Sequence, residues 1–555
     1  MPLHSLVPDF LESISSRRRV LAVAVLLGLA AAGTAQAVAP GAPAGAVLRY
    51  NQVSSGPQQQ ASVAAAADGN AVAVWYSRPD SGAGPAGVRA RLLDSAGAPA
   101  GAEILVNDIA QAGSVYHPSV ATDADGNFVV VWSASSTQLY SLTHVHMRRF
   151  DRNGVPLGPQ QQIDTAVPEA GGAVVARSAD GRYVVAWDAY PASGAEIRAR
   201  RFDAAGNALG GEITVAVRGS GYAGPDLSIA TDDSGAFTVV WTHDTGNGAD
   251  YDVFRRRFDA YGIAQGPVQR VNTAYAGGQR VADIAMDAAG NSVVVWDSYI
   301  NRNDSRVLGQ RYGANGAAVG GEFVLAYKQG YPAEEPTRPS VAMARASGDF
   351  SVSWQRRSST IYVRSYAANG TARSSEQLIS DGTAGAAYAQ IAADADGDAT
   401  VVWQNAESSW SNDFGVVGRR IAAYASVDLA ARLQASVQSA TAPTLIGYQI
   451  GVDNLQMPSP VRGMGTAGGI VAVLTPPAGG VVLSAGGSGW QCDTTVPAPR
   501  CSYAGFVAPG AGAPALLVEV GGVPAGVAQA SVQVSGGQPD ANAGNDGAAA
   551  EVVLP

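Results

Sequence analysis

Seven times along this chain a run of Val or Ala ends in tryptophan, at Trp75, Trp132, Trp187, Trp241, Trp296, Trp354 and Trp403. The intervals are 57, 55, 54, 55, 58 and 49 residues. Recurrence at so regular a period means one supersecondary unit used seven times, and it constrains the fold more than any local motif. Most runs follow a turn rich in Asp and Gly, as in Asp123-Ala124-Asp125-Gly126. There the Asp oxygens can cap backbone N–H groups, and Gly can take positive φ. In the second copy the unit reads as four strands, over 118–122, 128–133, 144–150 and 156–163. The second of these is apolar almost throughout, as expected of a strand covered on both faces.

Four antiparallel strands per unit is what a β-propeller blade needs, and propellers typically use about four to eight blades. The third strands carry their own echo, Arg200-Arg201-Phe202-Asp203, Arg256-Arg257-Phe258-Asp259 and Arg419-Arg420-Ile421 among them. The seventh copy has no fourth strand after Ile421. Residues 46–53, upstream of the first copy, resemble the fourth strands at 268–272 and 322–325. That orphan is expected to complete the last blade, which would close the ring and remove open sheet edges. The chain over 46–424 is thus predicted to be a seven-bladed β-propeller closed by an N-terminal strand.

The ends of the chain read differently. Arg17-Arg18-Arg19, the apolar run 20–33 and Ala35-Gln36-Ala37 form the three parts of an export signal over 1–37, with 38–45 as a linker. The mature protein is expected to be exported, to a periplasmic, cell-surface or extracellular location, with no membrane span. Cys492 and Cys501 are the only cysteines, nine positions apart, and are expected to form a structural disulfide in an oxidising compartment. The formal charge of −10 argues against a nucleic-acid partner, which calls for a basic face.

The phrases Asp125-Gly126-Asn127-Phe128-Val129-Val130-Val131-Trp132 and Arg149-Phe150-Asp151 resemble the repeats of large secreted bacterial adhesion or calcium-binding-type proteins, over about residues 46–422. Residues 427–555 carry a strand pattern at 448–454, then Trp490-Gln491-Cys492, and a closing cluster Asp540, Asn542 and Asn545. They resemble the conserved Ig-like domain repeated in bacterial surface proteins. The resemblance implies a C-terminal Ig-like β-sandwich over 427–555, acting as a spacer without catalysis. Together these readings predict an all-β chain of two domains.

Two rims follow from the strand order, a short one of Asp-Gly turns and a wide one of variable, aromatic loops. The wide rim is where ligand contact is expected, because variable loops on a rigid scaffold concentrate binding residues. Its candidates are Tyr116, Tyr222, Tyr275, Tyr331, Tyr388, Tyr140, Tyr251 and Trp410, rigid aromatic surfaces suited to a glycan or a surface protein. The expected function is non-catalytic binding or adhesion. The alternative is a secreted carbohydrate-active hydrolase or lyase using rim carboxylates such as Glu334, Glu335, Asp226, Asp250 and Asp252. A deep axial pocket bearing carboxylates and Arg would favour the enzyme.

No cofactor and no catalytic residue is expected. Calcium is the ion considered, at Asp123, Asp125, Asp394, Asp396 and Asp398, although no EF-type ligand series follows them. His144 and His146 share one strand face but have no evident third zinc ligand. The arginines at 91, 148, 200, 256, 364 and 419 are expected to be scaffold residues paired with turn aspartates.

Overall fold

The computed structural model describes residues 43–555 except 54–55, 79–85, 109–114, 136–142, 220–226, 245–250, 274–276, 302–303, 329–334, 357–358, 382–384, 396, 407–413, 422–426, 442, 456–466, 509, 537–539, 541 and 543. The proposed export signal therefore lies outside the described residues. Among those described, all regular structure is β.

Seven antiparallel sheets of four strands follow the period set by the tryptophans. The first unit comprises Gln58–Ala65, Ala71–Ser77, Gly87–Leu93 and Pro99–Leu105, in that order across the sheet. The inner strands of the other six are Val115–Thr122, Ala170–Arg177, Leu227–Thr231, Gly278–Met286, Pro336–Met343 and Ala387–Ala393. Each inner strand packs against the next, and the seventh packs against the first. The second strands lie between sheets, so Phe128–Ser135 is buried at every position. Trp75, Trp132, Trp187, Trp296, Trp354 and Trp403 are all essentially inaccessible to water.

The doubled arginine of the third strand clasps both neighbours. The first member reaches back to the outer strand of the preceding unit: Arg148 donates to Val106 O at 2.9 Å, Arg200 to Ile163 O at 3.1 Å, and Arg256 to Val215 O at 2.8 Å. The second reaches forward to the next unit's turn: Arg149 to Ala204 O at 3.1 Å and Arg201 to Ala260 O at 2.6 Å. The expected pairing of the first member, the column Arg91, Arg148, Arg200, Arg256, Arg364 and Arg419, with turn aspartates is corrected here. A buried guanidinium must find acceptors, and here backbone carbonyls at the seams supply them. The turn aspartates pair elsewhere, Asp123 with Arg177 at 2.9 Å and Asp394 with Arg420.

Closure is made by the N-terminal strand. Pro43–Arg49 pairs antiparallel with Phe414–Ile421 as the fourth strand of the seventh sheet. Asn51 then does what its counterparts do in other units. Its Oδ1 accepts from Val416 N at 2.8 Å, as Asn107 accepts from Val88 N and Asn272 from Val253 N, both at 2.8 Å. Arg419 donates back to Ile379 O at 3.2 Å, and Arg420 forward to Gly69 O in the first unit at 3.3 Å.

Residues 429–554 form two further sheets. One contains Leu429–Ser439, Leu445–Asn454, Leu516–Gly521 and Val481–Gly486; the other contains Trp490–Asp493, Arg500–Tyr503, Val471–Thr475, Gly526–Ser535 and Gly547–Leu554. Strict alternation along Gly526–Ser535 sends Ala528, Ala530, Val532 and Val534 inward to a core shared with Ile446, Tyr448 and Val518. Cys492 and Cys501 are bonded, as expected, and face each other on adjacent strands of one sheet.

Candidate functional site

An axial cavity of about 390 Å³ runs along the inner strands, and its wall is built in three layers. At one end each unit contributes an aliphatic side chain, including Val63, Val120, Val175, Ile229 and Ile284. Above it lies a polar belt of Ser62, Ser119, Ser228, Asp283, Ser340 and Gln390, with Val174 as the exception. The third layer, toward the wide rim, is the mouth.

The mouth is made by a backbone irregularity repeated around the axis. The inner strand slips register between Gln59 and Ser62, Tyr116 and Ser119, Gly171 and Val174, Arg280 and Asp283, Thr337 and Ser340, and Ala387 and Gln390. At each slip one residue takes the left-handed conformation: Gln60 (φ 56°), His117 (50°), Gly172 (62°), Val281 (50°), Arg338 (52°) and Tyr388 (56°). Only glycine adopts this region freely, and a β-branched residue such as Val281 is a true outlier there. Such strain persists only where the surroundings over-determine it, and it clusters at binding and catalytic sites.

Those surroundings are visible in the hydrogen bonds. A bulge withdraws one N–H from the strand ladder. The polar residue following Trp in the preceding unit accepts it: Ser133 Oγ from Gly172 N at 3.0 Å, Asp297 Oδ2 from Arg338 N at 3.2 Å, and Gln355 Oε1 from Tyr388 N at 2.9 Å. Gln404 accepts from Gln60 N at 3.4 Å, across the closure. After Trp75 stands Tyr76, which offers no amide or carboxylate, and Gln60 Oε1 accepts from His117 N at 2.9 Å instead.

Asp283 is the one carboxylate of the belt. Its oxygens accept from Ser228 Oγ at 2.6 Å and from Ile284 N, Ser340 Oγ and Val341 N at 2.9 Å each, so it ties three consecutive units together. Burial raises its pKa, while those four donors pull the other way. A carboxylate so fully engaged is a clasp rather than a proton donor to substrate. His117 at the mouth is held below the usual imidazole range by burial and is therefore neutral near pH 7.

Of the aromatic candidates, Tyr388 is one of the mouth residues, Tyr116 is exposed beside Tyr76 with ring centroids 6.2 Å apart, and Tyr251 lies beneath Arg280. Tyr140, Tyr222, Tyr275, Tyr331 and Trp410 lie outside the described residues, as do Asp226, Asp250 and Glu334. Asp252 accepts from Asn272 and faces Arg270 at 3.3 Å, and Glu335 is buried near Lys328 at 3.7 Å, so neither is a free rim carboxylate.

The calcium candidates resolve into turn chemistry. Asp123 Oδ1 accepts from Asp125 N at 3.1 Å and Asn127 N at 2.9 Å, while Oδ2 takes Asn127 Nδ2 and Arg177. Asp394 is paired with Arg420, Asp398 is buried 3.9 Å from it, and Asp396 is outside the described residues. Among the described residues no group of three or more His, Cys, Asp or Glu is placed to hold a metal ion. His144 Nδ1 instead meets buried Asp164 at 2.7 Å, and His146 stacks on Trp132.

No family profile matches this sequence, and no curated protein is similar to it. Solved structures are similar at low identity. A protein of unknown function from Dyadobacter fermentans is 13% identical, with a TM-score of 0.41, covering 70% of this chain and 98% of its own. An alpha-L-arabinanase from Penicillium chrysogenum, complexed with arabinobiose, is 13% identical, with a TM-score of 0.38, covering 55% and 92%. The Hadza microbial sialidase Hz136 is 12% identical, with a TM-score of 0.35, covering 60% and 73%. The expectation of a non-catalytic adhesion protein is corrected: of the three matches named, the arabinanase and the sialidase are glycoside-cleaving enzymes and none is an adhesion protein. Among the described residues no helix is long and apolar enough to cross a membrane.

Proposed function

We propose that this is an exported carbohydrate-active enzyme, a hydrolase or lyase, in which a seven-bladed β-propeller holds its glycan substrate at the channel mouth. The single observation behind this reading is the mouth itself. Six equivalent left-handed positions carry six different residues, five of them strained non-glycines, on a scaffold that otherwise repeats. Symmetry alone would select one residue for all six, so their divergence points to a ligand that is itself asymmetric. His117 supplies a neutral imidazole able to accept a proton near pH 7. Gln60 stands beside it, and Tyr388 supplies a further neutral hydrogen-bonding group elsewhere at the mouth. Residues 427–555 are read as an Ig-like spacer, and the Cys492–Cys501 bond suits an oxidising compartment.

The test is to incubate the full chain with a panel of polysaccharides and oligosaccharides and to follow chain shortening by mass spectrometry. One glycan class should be shortened, and His117→Asn should lower the rate about 100-fold. A cooperatively folded preparation that shortens none of them would overturn the proposal.

A further inference from the structure

Most arginines described above are committed to the scaffold, to seam carbonyls or to turn aspartates. Two are not: Arg338, which lines the mouth, and Arg280, one residue before the lining residue Val281 on the adjoining inner strand. Arg338 occupies one of the left-handed positions in the sixth inner strand, and its guanidinium lies 4.4 Å from the ring centre of Tyr388 in the seventh unit. Arg280 immediately precedes the left-handed residue Val281 in the fifth inner strand, and its guanidinium lies 4.6 Å from the ring centre of Tyr251 in the fourth. Among the described residues neither guanidinium has a carboxylate or carbonyl acceptor. Asp297 stands opposite Arg280 in the strand pairing and accepts through Oδ2 from the backbone N–H of Arg338.

Stacking on an aromatic face orients a guanidinium without using any of its five N–H donors. Each arginine is thus held in place with its donor edge unspent. Their two inner strands are neighbours in the circuit. The rest of the chain is acidic, so these two cations make the mouth locally attractive to a negative group.

We infer that Arg280 and Arg338 recognise an anionic group on the sugar, making the substrate an acidic glycan that carries a carboxylate or a sulfate. A planar guanidinium matches either oxyanion with paired donors, and such charge-assisted bonds are about twice as strong as neutral ones. This inference rests on the mouth being the glycan site and adds the substrate class.

Titration calorimetry on the full chain would compare three probes: an oligogalacturonate, the same oligomer with its carboxyls reduced to alcohols, and a sulfated galactan oligosaccharide. The oligogalacturonate or the sulfated probe should bind at least about tenfold more tightly than the neutral one. The preferred probe names the anion. R338M and R280M should each remove most of that preference while leaving the neutral oligomer unaffected, and added salt should weaken only the charged probe. Equal binding of all three, binding of none, or variants that weaken the neutral oligomer equally would overturn the inference. If only neutral glycans are shortened, the enzyme reading stands and this one falls. If the acidic oligomer binds in an Arg-dependent way but is never shortened, the reverse holds.

Discussion

The seams between units and the channel mouth are built from the same strands, yet they obey different rules. At the seams the units repeat one plan: each buries its Trp, Arg148, Arg200, Arg256 and Arg419 reach back, and Arg149, Arg201, Arg311 and Arg420 reach forward. At the mouth the backbone still repeats, slipping register at equivalent places, but the side chains do not. The difference teaches where to look in a repeat protein. Sameness across units marks what the fold requires, and divergence at a conformation costly to hold marks what the fold is for.

Three substitutions sharpen or break that contrast. The largest effect belongs to the seam: Trp296→Ala removes a fully buried indole bonded through Nε1 to Gln279 at 2.9 Å, and should cost about 3–5 kcal/mol of stability by chemical denaturation. A loss under about 1 kcal/mol would mean the seam is not what holds the units together. At the mouth the sign should reverse. Val281→Gly relieves a β-branched residue at φ 50° and should stabilise the protein by about 1–2 kcal/mol while lowering turnover of the glycan. If it destabilises the protein as the seam variant does, the mouth is scaffold after all.

The smallest effect concerns pH. The pKa of His117 is lowered by burial in the folded chain, so the unfolded chain binds the extra proton first. Its contribution is present above the unfolded value of about 6.5 and is lost as pH falls through that value toward the folded one. His117→Asn, which keeps a residue tolerant of the left-handed region, should flatten that part of the curve of Tm against pH. A seam variant should shift the whole curve without changing its shape.

Much of the seam was legible in the sequence, because packing symmetry forces residue symmetry. Trp75 to Trp403 and the doubled arginines announced themselves by recurrence, and residues 46–53 could be matched to the other fourth strands. The partners of those arginines were not legible, since a backbone carbonyl leaves no mark in the residue string. Nor was the mouth. Gln60, His117, Val281, Arg338 and Tyr388 share no side-chain property, and only His117 is of a type enriched at positive φ. A usable signal did exist one step away. Ser133, Asp297, Gln355 and Gln404 each stand directly after their tryptophan, and each accepts a displaced N–H from the next unit.

The clasp at Asn51 has a consequence for how the molecule is made. Its bond to Val416 spans 365 positions of sequence, and the Arg419 contact with Gly45 spans 374. A polypeptide emerging from its N-terminus presents this segment first and uses it last, so six units can assemble by local pairing while the leading strand waits unsatisfied. Completion is then a slow, long-range event, and the period before it is when the newly made chain is most open to capture by its own kind.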